Sequence, residues 1–296
     1  MKPPKISVII PAYNTKKTIA KTINSVLNQT FRNFELLIVN DGSTDNTLNM
    51  IKQFKDKRIK IFNQKNQGSY TARNLGIQKS KGKILAFTDS DCIPEKNWLE
   101  EGIKSLKKDK NCHIVGGKVN VFAKNAKNPK AIELFDKITY LNQKKYIKKF
   151  NFAATANLMT YRKIIMDVGP FNKKLFSGGD NEWCQRAYKK GYKLKYSKRA
   201  IVNHPARENL HEIYKKFTRI NRGIYRLYFK DLNCRRFILH NIDFICSQKN
   251  KTKEILLKKG LKHKLGLFFL LSLETITKLL QNCYLRIEDK FKKQNQ

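Results

Sequence analysis

The stretch ISVIIPAYN, residues 6–14, sets the architecture. Its opening, Ile6 to Ile10, is a short β-branched run closed by Pro11, the pattern of a buried strand. Downstream, Ile19, Ile23, Val26 and Leu27 fall on one helical face that ends near Gln29. Phe34 to Val39 is the next strand, and Asp45 can cap a helix carrying Leu48, Ile51 and Phe54. Ile59 to Phe62, a helix from about Tyr70 to Gln78, and Ile84 to Thr88 continue the alternation. Repeated β-α-β units predict an α/β fold, a mostly parallel sheet flanked by helices on both faces. Ligands bind such sheets beyond the carboxyl ends of the strands.

What lies at those ends narrows the chemistry. Pro11-Ala12-Tyr13-Asn14 follows the first strand, Asn40-Asp41-Gly42-Ser43-Thr44-Asp45 the second, and Thr88-Asp89-Ser90-Asp91 the fourth. One polar turn at a strand end is ordinary. Three that converge on one sheet edge, two of them carrying carboxylates, point to a ligand. Asp89 and Asp91 alternate, so on an extended segment both could face one hard cation. Without such a partner their mutual repulsion would be costly. The bland alternative is a capped turn leading into a helix at Lys96.

Composition bounds the rest. A chain of 296 residues, 41% hydrophobic, can bury a core as one large domain or two coupled ones. Lys+Arg 62 against Asp+Glu 23 gives a net charge of +39, which favours an anionic partner. The charge is spread along a chain rich in Lys, Asn and Ile, so compositional bias accounts for part of it. The six cysteines, Cys92, Cys112, Cys184, Cys234, Cys246 and Cys283, form no CxxC pair, as expected of reduced thiols in a cytosolic protein. The apolar run after MKPPK is too short for a signal peptide's hydrophobic region, so export is not expected.

SVIIPAYN (Ser7 to Asn14), NDGSTDNT (Asn40 to Thr47), NQGSYTARNLGI (Asn66 to Ile77) and FTDSDC (Phe87 to Cys92) resemble, in order, the signatures of family-2 glycosyltransferases, which have the GT-A fold. The likeness continues through ATANLMTYRK (Ala154 to Lys163), VGPFN (Val168 to Asn172) and GGDNEWCQRAYKKGYKL (Gly178 to Leu194), with His204 after it. It covers roughly residues 5 to 230. It implies an inverting, metal-dependent transfer of a sugar from a nucleotide-diphosphate donor, a UDP-sugar first, to an acceptor hydroxyl on a saccharide or lipid-linked saccharide, in cell-surface polysaccharide or glycolipid synthesis.

The resemblance also implies roles. Pro11, Ala12, Tyr13, Asn14 and Asp41 would hold the nucleotide base, Asp41 accepting from a ring N–H. Asp89 would contact the ribose, and Asp91 would bind Mg²⁺ or Mn²⁺ bridging the diphosphate. Arg73 suits the donor's phosphate or base. A cation and an arginine there stabilise the departing diphosphate more than the intact donor. Asp180 would take the acceptor's proton; where the family usually has an acidic pair this chain reads Gly179-Asp180, and Glu182 is the nearby alternative. One base opposite a metal-held leaving group means a single displacement and inversion. His204 would complete the metal's coordination, against the plainer reading of a hydrogen-bonded structural histidine.

By these readings residues 1–125 form the nucleotide-sugar half, 126–230 the acceptor and base half, and 231–296 a basic helical extension. Leu210, Ile213, Tyr214, Phe217, Ile220, Ile224 and Tyr228 keep helical spacing, interleaved with Lys215, Lys216, Arg219, Arg222 and Arg226 on what is expected to be a solvated face, with a surface facing anionic lipid as the alternative. Leu265 to Leu273 is almost wholly apolar and follows Lys258, Lys259, Lys262 and Lys264, but Glu274 and Lys278 interrupt it well short of the ~20 residues of a spanning helix. Lys258 to Leu280 is therefore expected to lie on an anionic membrane surface, peripheral at the cytoplasmic face, with burial in the protein as the runner-up. No nucleic-acid motif accompanies the charge, so nucleic acid is not an expected partner. The rival readings are a nucleotidyltransferase, which would want a glycine-rich phosphate loop after the first strand, and a nucleotide-sugar-binding protein without catalysis.

Overall fold

Ile6–Ala12, seven consecutive buried residues, form β1 at the centre of an eight-stranded sheet. The computed structural model describes residues 4–257 and 261–294. β1 pairs in parallel with β2 (Phe34–Asp41) on one side and β4 (Ile84–Phe87) on the other, and β2 pairs in parallel with β3 (Ile59–Gln64). The helices between them are α1 (Ile19–Leu27), α2 (Thr47–Lys52) and α3 (Ser69–Lys79). Phe54 lies outside α2, which ends as the Phe54 N–H turns back to the Ile51 carbonyl at 3.2 Å. Asp45 holds the start of α2 by accepting from the Thr47 N–H at 2.9 Å. α3 sits close on β1 because Gly76 has no side chain: a Cβ there would stand 2.5 Å from Ile9 Cγ2.

From β1 the chain steps one way to β2 and β3 and the other way to β4, so the sheet switches direction between β1 and β4. Sheets of this kind bind their ligands beyond the carboxyl ends of the strands at such a switch point. Beyond β4 the parallel expectation gives way. β7 (Leu158–Tyr161) runs antiparallel to β4, and β6 (Ile114–Phe122) antiparallel to β7. β8 (Leu194–Pro205) and β5 (Ile93–Pro94) complete the order β3-β2-β1-β4-β7-β6-β8-β5, and those last two are antiparallel. α4 (Trp98–Lys107), α6 (Gln143–Phe150), α7 (Arg162–Val168) and α8 (Gly179–Lys189) surround this half. Buried Asn157 ties it together: its amide donates to the Lys118 and Ala200 carbonyls, both at 2.9 Å, and its Oδ1 accepts from the Trp98 indole at 2.8 Å.

These elements form one unit, Met1–Val121 with Leu141–Pro205; a second comprises Phe122–Tyr140 with Ala206–Gln296. The second unit is helical, with α5 (Ala131–Thr139), α9 (Leu210–Ile224) running into a π-helical turn at Tyr225–Phe229, α10 (Cys234–Leu257) and α11 (Leu261–Gln294). Leu134 and Phe135 of α5 pack with Ile213 and Phe217 of α9 and with Leu267, Leu270 and Leu271 of α11. Lys216 departs from its expected place on the solvated face. Its ammonium lies 2.6 Å from Asp136, which is 0% exposed and also receives Arg207 at 3.0 Å. Burial works against the Asp136 carboxylate, yet the charges of Lys216 and Arg207 hold it below its usual range. Burial drags the Lys216 amine down. Removing Asp136 would strand the buried Lys216 cation and the half-buried Arg207, at a cost of about 3–5 kcal/mol.

The other face of α11 is apolar and uncovered. Leu265, Phe268, Phe269, Ile276, Leu280, Tyr284, Ile287 and Phe291 are all more than half exposed. No helix among the described residues is long and apolar enough to cross a membrane. Thus Leu265 to Leu280 divides between core and surface along its two faces. Lys258 and Lys259, and the side chain of Lys262, lie outside the described residues.

Candidate active site

Each loop named above is fixed by its neighbours. Pro11 and Ala12 complete β1 and are buried, while Tyr13 stands exposed at its end. Asn14 takes a left-handed backbone, φ 51, and ties the first loop to the second. Its Oδ1 accepts from the Thr44 N–H at 2.8 Å, and its N–H donates to Ser43 Oγ at 3.1 Å. Asp41 ends β2, nearly buried, and its carboxylate organises the approach to α3. Oδ1 accepts from Gln64 Nε2 at 2.7 Å and the Gln67 N–H at 2.9 Å, and Oδ2 from the Gly68 N–H at 2.9 Å. Gly42 permits this closeness: its φ is 70, and a Cβ would meet Asn66 N at 2.6 Å. Three donors leave the Asp41 carboxylate one lone pair for a ligand.

Asp89 and Asp91 face different partners. The chain turns at Ser90-Asp91 instead of staying extended, so the expected alternation is lost and the two carboxylates diverge. Asp89 pairs with Arg73 of α3, its Oδ1 accepting from Nη2 at 2.5 Å. The Arg73 side chain is 5% exposed, and its Nε is buried without a hydrogen-bond partner. Asp91 turns to the end of β8, where its Oδ2 lies 3.5 Å from His204 Nε2.

The Asp91–His204 pair suits a divalent ion. His204 Nδ1 lies 2.7 Å from the Pro205 carbonyl, which can only accept, so Nδ1 carries a proton and Nε2 is the ring nitrogen that faces Asp91. Asp91 Oδ1 is buried with no partner. A cation held between Asp91 and His204, or a second proton on the ring, satisfies this arrangement. Cys92 Sγ lies with both, all three donor atoms being within 4.8 Å of one another. Burial, reinforced by the charges of Asp91 and Asp89, pushes the Cys92 thiol well up, so oxygen and nitrogen dominate the donor set. Hard donors of this kind fit Mg²⁺ or Mn²⁺.

Asp180 stands in the first turn of α8, behind Gly178, whose left-handed φ of 80 opens the helix. It is not the N-cap. Its Oδ1 accepts from the Asn181 N–H at 3.0 Å and the Tyr70 hydroxyl at 3.3 Å, and its Oδ2 from the Thr155 N–H at 3.3 Å. Burial raises its carboxyl above the usual range, with the Asp89 charge adding to that; Arg73 and the two backbone N–H groups pull the other way. A carboxylate of raised pKa is a better proton acceptor near neutrality. Glu182, two residues on, is held by Arg186 at 2.6 Å and lines a separate cavity of about 770 Å³ with Arg186, Asn74 and Pro170.

One unit therefore brings together Arg73 with Asp89, Asp91 with His204, and Asp180 beside Tyr70. Asn14 and Asp41 form a second cluster, joined to these through the start of α3. Tyr70, Thr155 and Cys92 were not singled out from the sequence. Tyr70 and Asp180 lie 110 residues apart, and no spacing pattern marks such a contact. The glycine preceding Asp180 was the one local cue, since a Cβ on Gly179 would stand 2.7 Å from the Tyr70 ring.

A family model described as glycosyl transferase family 2 matches residues 7–169. Glycosyltransferase AglE of Haloferax volcanii is 39% identical over 233 residues, which take in 77% of this chain and 75% of that protein. WfgD of Escherichia coli, a UDP-Glc:alpha-D-GlcNAc-diphosphoundecaprenol beta-1,3-glucosyltransferase, is 38% identical over 122 residues, 41% of this chain and 48% of that protein. Among solved structures, the mannosyltransferase PcManGT from Pyrobaculum calidifontis, in complex with GDP-Man and Mn²⁺, superposes with a TM-score of 0.65 at 15% identity. That superposition covers 98% of this chain and 88% of that one.

Proposed function

The chain belongs to glycosyl transferase family 2, and on that premise we propose that this glycosyltransferase moves a sugar from a UDP-sugar to an acceptor hydroxyl by one inverting displacement. The observation that carries this reading is the pairing of Asp91 with His204, and apart from it a buried, hydrogen-bonded carboxylate, Asp180, that Tyr70 holds. In the step, the acceptor oxygen bonds to the sugar's anomeric carbon as the bond from that carbon to the β-phosphate oxygen breaks. Asp180 takes the hydroxyl proton, and the electron pair leaves with the nucleoside diphosphate. A divalent ion held by Asp91 and His204 would supply Lewis-acid stabilisation to that leaving group. Asp89 and Arg73 face the ribose and phosphates, and Asp41, Tyr13 and Asn14 face the base. Attack from the side opposite the leaving group inverts the anomeric centre.

A uridine donor and a lipid-linked saccharide acceptor match the chemistry named for WfgD, and cell-surface polysaccharide or glycolipid synthesis is the setting proposed for them. The test is a panel of UDP- and GDP-sugars with Mn²⁺, read by release of nucleoside diphosphate. Release from a UDP-sugar is expected to exceed that from its GDP counterpart. Turnover of GDP-sugars alone would replace the base assignment, and a product keeping the donor's anomeric configuration by NMR would refute the single displacement.

The acceptor's membrane bears on α11. Its exposed apolar face, on a chain of net charge +39, suits the headgroup layer of an anionic bilayer on the cytoplasmic side. Each basic residue near such a surface contributes about 1 kcal/mol. The full chain is expected to bind phosphatidylglycerol vesicles, less so as salt rises, and to bind phosphatidylcholine vesicles weakly. Replacing exposed Leu265, Phe268 and Phe269 by serine should lower the anionic-vesicle affinity by about tenfold or more. Equal binding of variant and parent would remove α11 from the interface.

A further inference from the structure

We propose that Tyr70 is the positioning residue of the base: its hydroxyl holds the Asp180 carboxylate while its ring carries the Arg73 guanidinium, so one side chain fixes the base relative to the donor-side pair Arg73–Asp89. The inference rests on the reading of Asp180 as the base. Three contacts carry it. The Tyr70 hydroxyl donates to Asp180 Oδ1 at 3.3 Å. The Arg73 guanidinium carbon lies 5.5 Å from the centre of the Tyr70 ring, within cation–π range. Arg73 in turn holds Asp89. The chain of contacts runs from the end of β4, through one turn of α3, to the start of α8.

The ring is seated for the task. It packs on Phe171 with centroids 5.8 Å apart, and the bare Gly179 lets it reach the carboxylate, since a methyl there would meet ring carbons at 2.7–2.9 Å. Tyr70 is 6% exposed, so the hydroxyl is committed to this cleft. The positioning has a chemical use. A carboxylate rotates freely about its last bond, and a proton acceptor is effective only when a lone pair points at the proton it takes. The Asn181 and Thr155 N–H groups anchor Asp180 from the backbone, and Tyr70 is the side chain that links its orientation to the donor side. The unpartnered Nε of buried Arg73 shows that the guanidinium keeps a donor in reserve within the same cleft.

The experiment is Tyr70→Phe in the full chain, which keeps the ring and its packing and removes only the hydroxyl. The expected result is a kcat lower by about tenfold with the donor KM within about twofold of the parent. The pH profile adds a readout that packing alone would not move. The charged and titratable groups around Asp180 are Arg73 and Tyr70 from α3, Asp89 from the loop after β4, and Glu182 and Cys184 on its own helix. Losing an O–H donor disfavours the ionised carboxylate, so the acid limb of kcat should move to higher pH. An unchanged kcat with an unmoved limb would overturn the inference, as would a loss expressed as a raised donor KM. Asp180→Asn, measured beside it, separates the two readings. If Asp180→Asn is inactive and Tyr70→Phe is normal, only the role of Tyr70 falls. If Asp180→Asn is active, the base assignment fails and takes this inference with it.

Discussion

Asp180→Asn is expected to lower kcat by about 10²- to 10⁴-fold while leaving nucleotide affinity nearly unchanged. The substitution keeps the shape and one acceptor oxygen, and replaces the other, which also receives a backbone N–H, by an amide that cannot take a proton. Tyr70 and the backbone of Thr155 hold this carboxylate, and neither contact is one proposed for the nucleotide, so binding and chemistry should separate. The pH dependence has a definite sign. The Asp180 carboxyl is raised by burial, and the base works only when ionised. Activity of the parent should therefore be full above the raised value and fall as pH drops through it, at a higher pH than an ordinary aspartate would give. Single-turnover rates with and without the substitution, alongside nucleotide titration, measure both quantities. Loss of nucleotide binding in step with turnover would reassign Asp180 to the donor. Retained turnover would turn attention to Glu182, which would first have to leave Arg186.

The second large effect concerns the ion. Asp91→Asn is expected to cut transfer by about 10³-fold, since stabilising a departing diphosphate is worth several kcal/mol. Excess chelator should do the same to the parent, and added Mn²⁺ should restore the parent only. The structural reason is the orphaned Oδ1 of Asp91 together with an Oδ2 that faces His204 Nε2 across 3.5 Å. Mn²⁺ binding followed by electron paramagnetic resonance gives a readout independent of turnover, and the variant should bind at least about tenfold more weakly. Full turnover in chelator would exclude the metal-dependent mechanism.

The parallel half of the sheet was legible because β1, β2 and β4 are mostly apolar runs buried on both faces, and their period and punctuation are local. The antiparallel half was not: β7 and β6 take their direction from partners far along the chain. The same division runs through the site. The loops after β1, β2 and β4 could be named from strand ends, but not the direction of their side chains. A single turn at Ser90-Asp91 sends Asp89 to Arg73 and Asp91 to His204, where alternation had both facing one way. Lys216 read as solvated since its partner, Asp136, is 80 residues away. Tyr70 carried no mark because a tyrosine near the start of a helix is ordinary until the opposing element is known.

The helical unit's core has a history as well as a structure. Leu134 and Phe135 pack against side chains of α9 and α11, which the ribosome delivers only after the whole segment Leu141–Pro205 has been made. At about 5–20 residues per second, α5 waits of the order of ten seconds for its partners. Through that interval the nascent chain presents an apolar helix with Asp136 unpaired, a surface suited to chaperone capture. Any fragment that stops before α11 lets α9 pair Asp136 but leaves the side of that core that Leu267, Leu270 and Leu271 cover open for good. Shortening the chain therefore exposes core as well as removing surface, which is why side-chain substitution on the outer face of α11 is the cleaner probe of membrane adhesion.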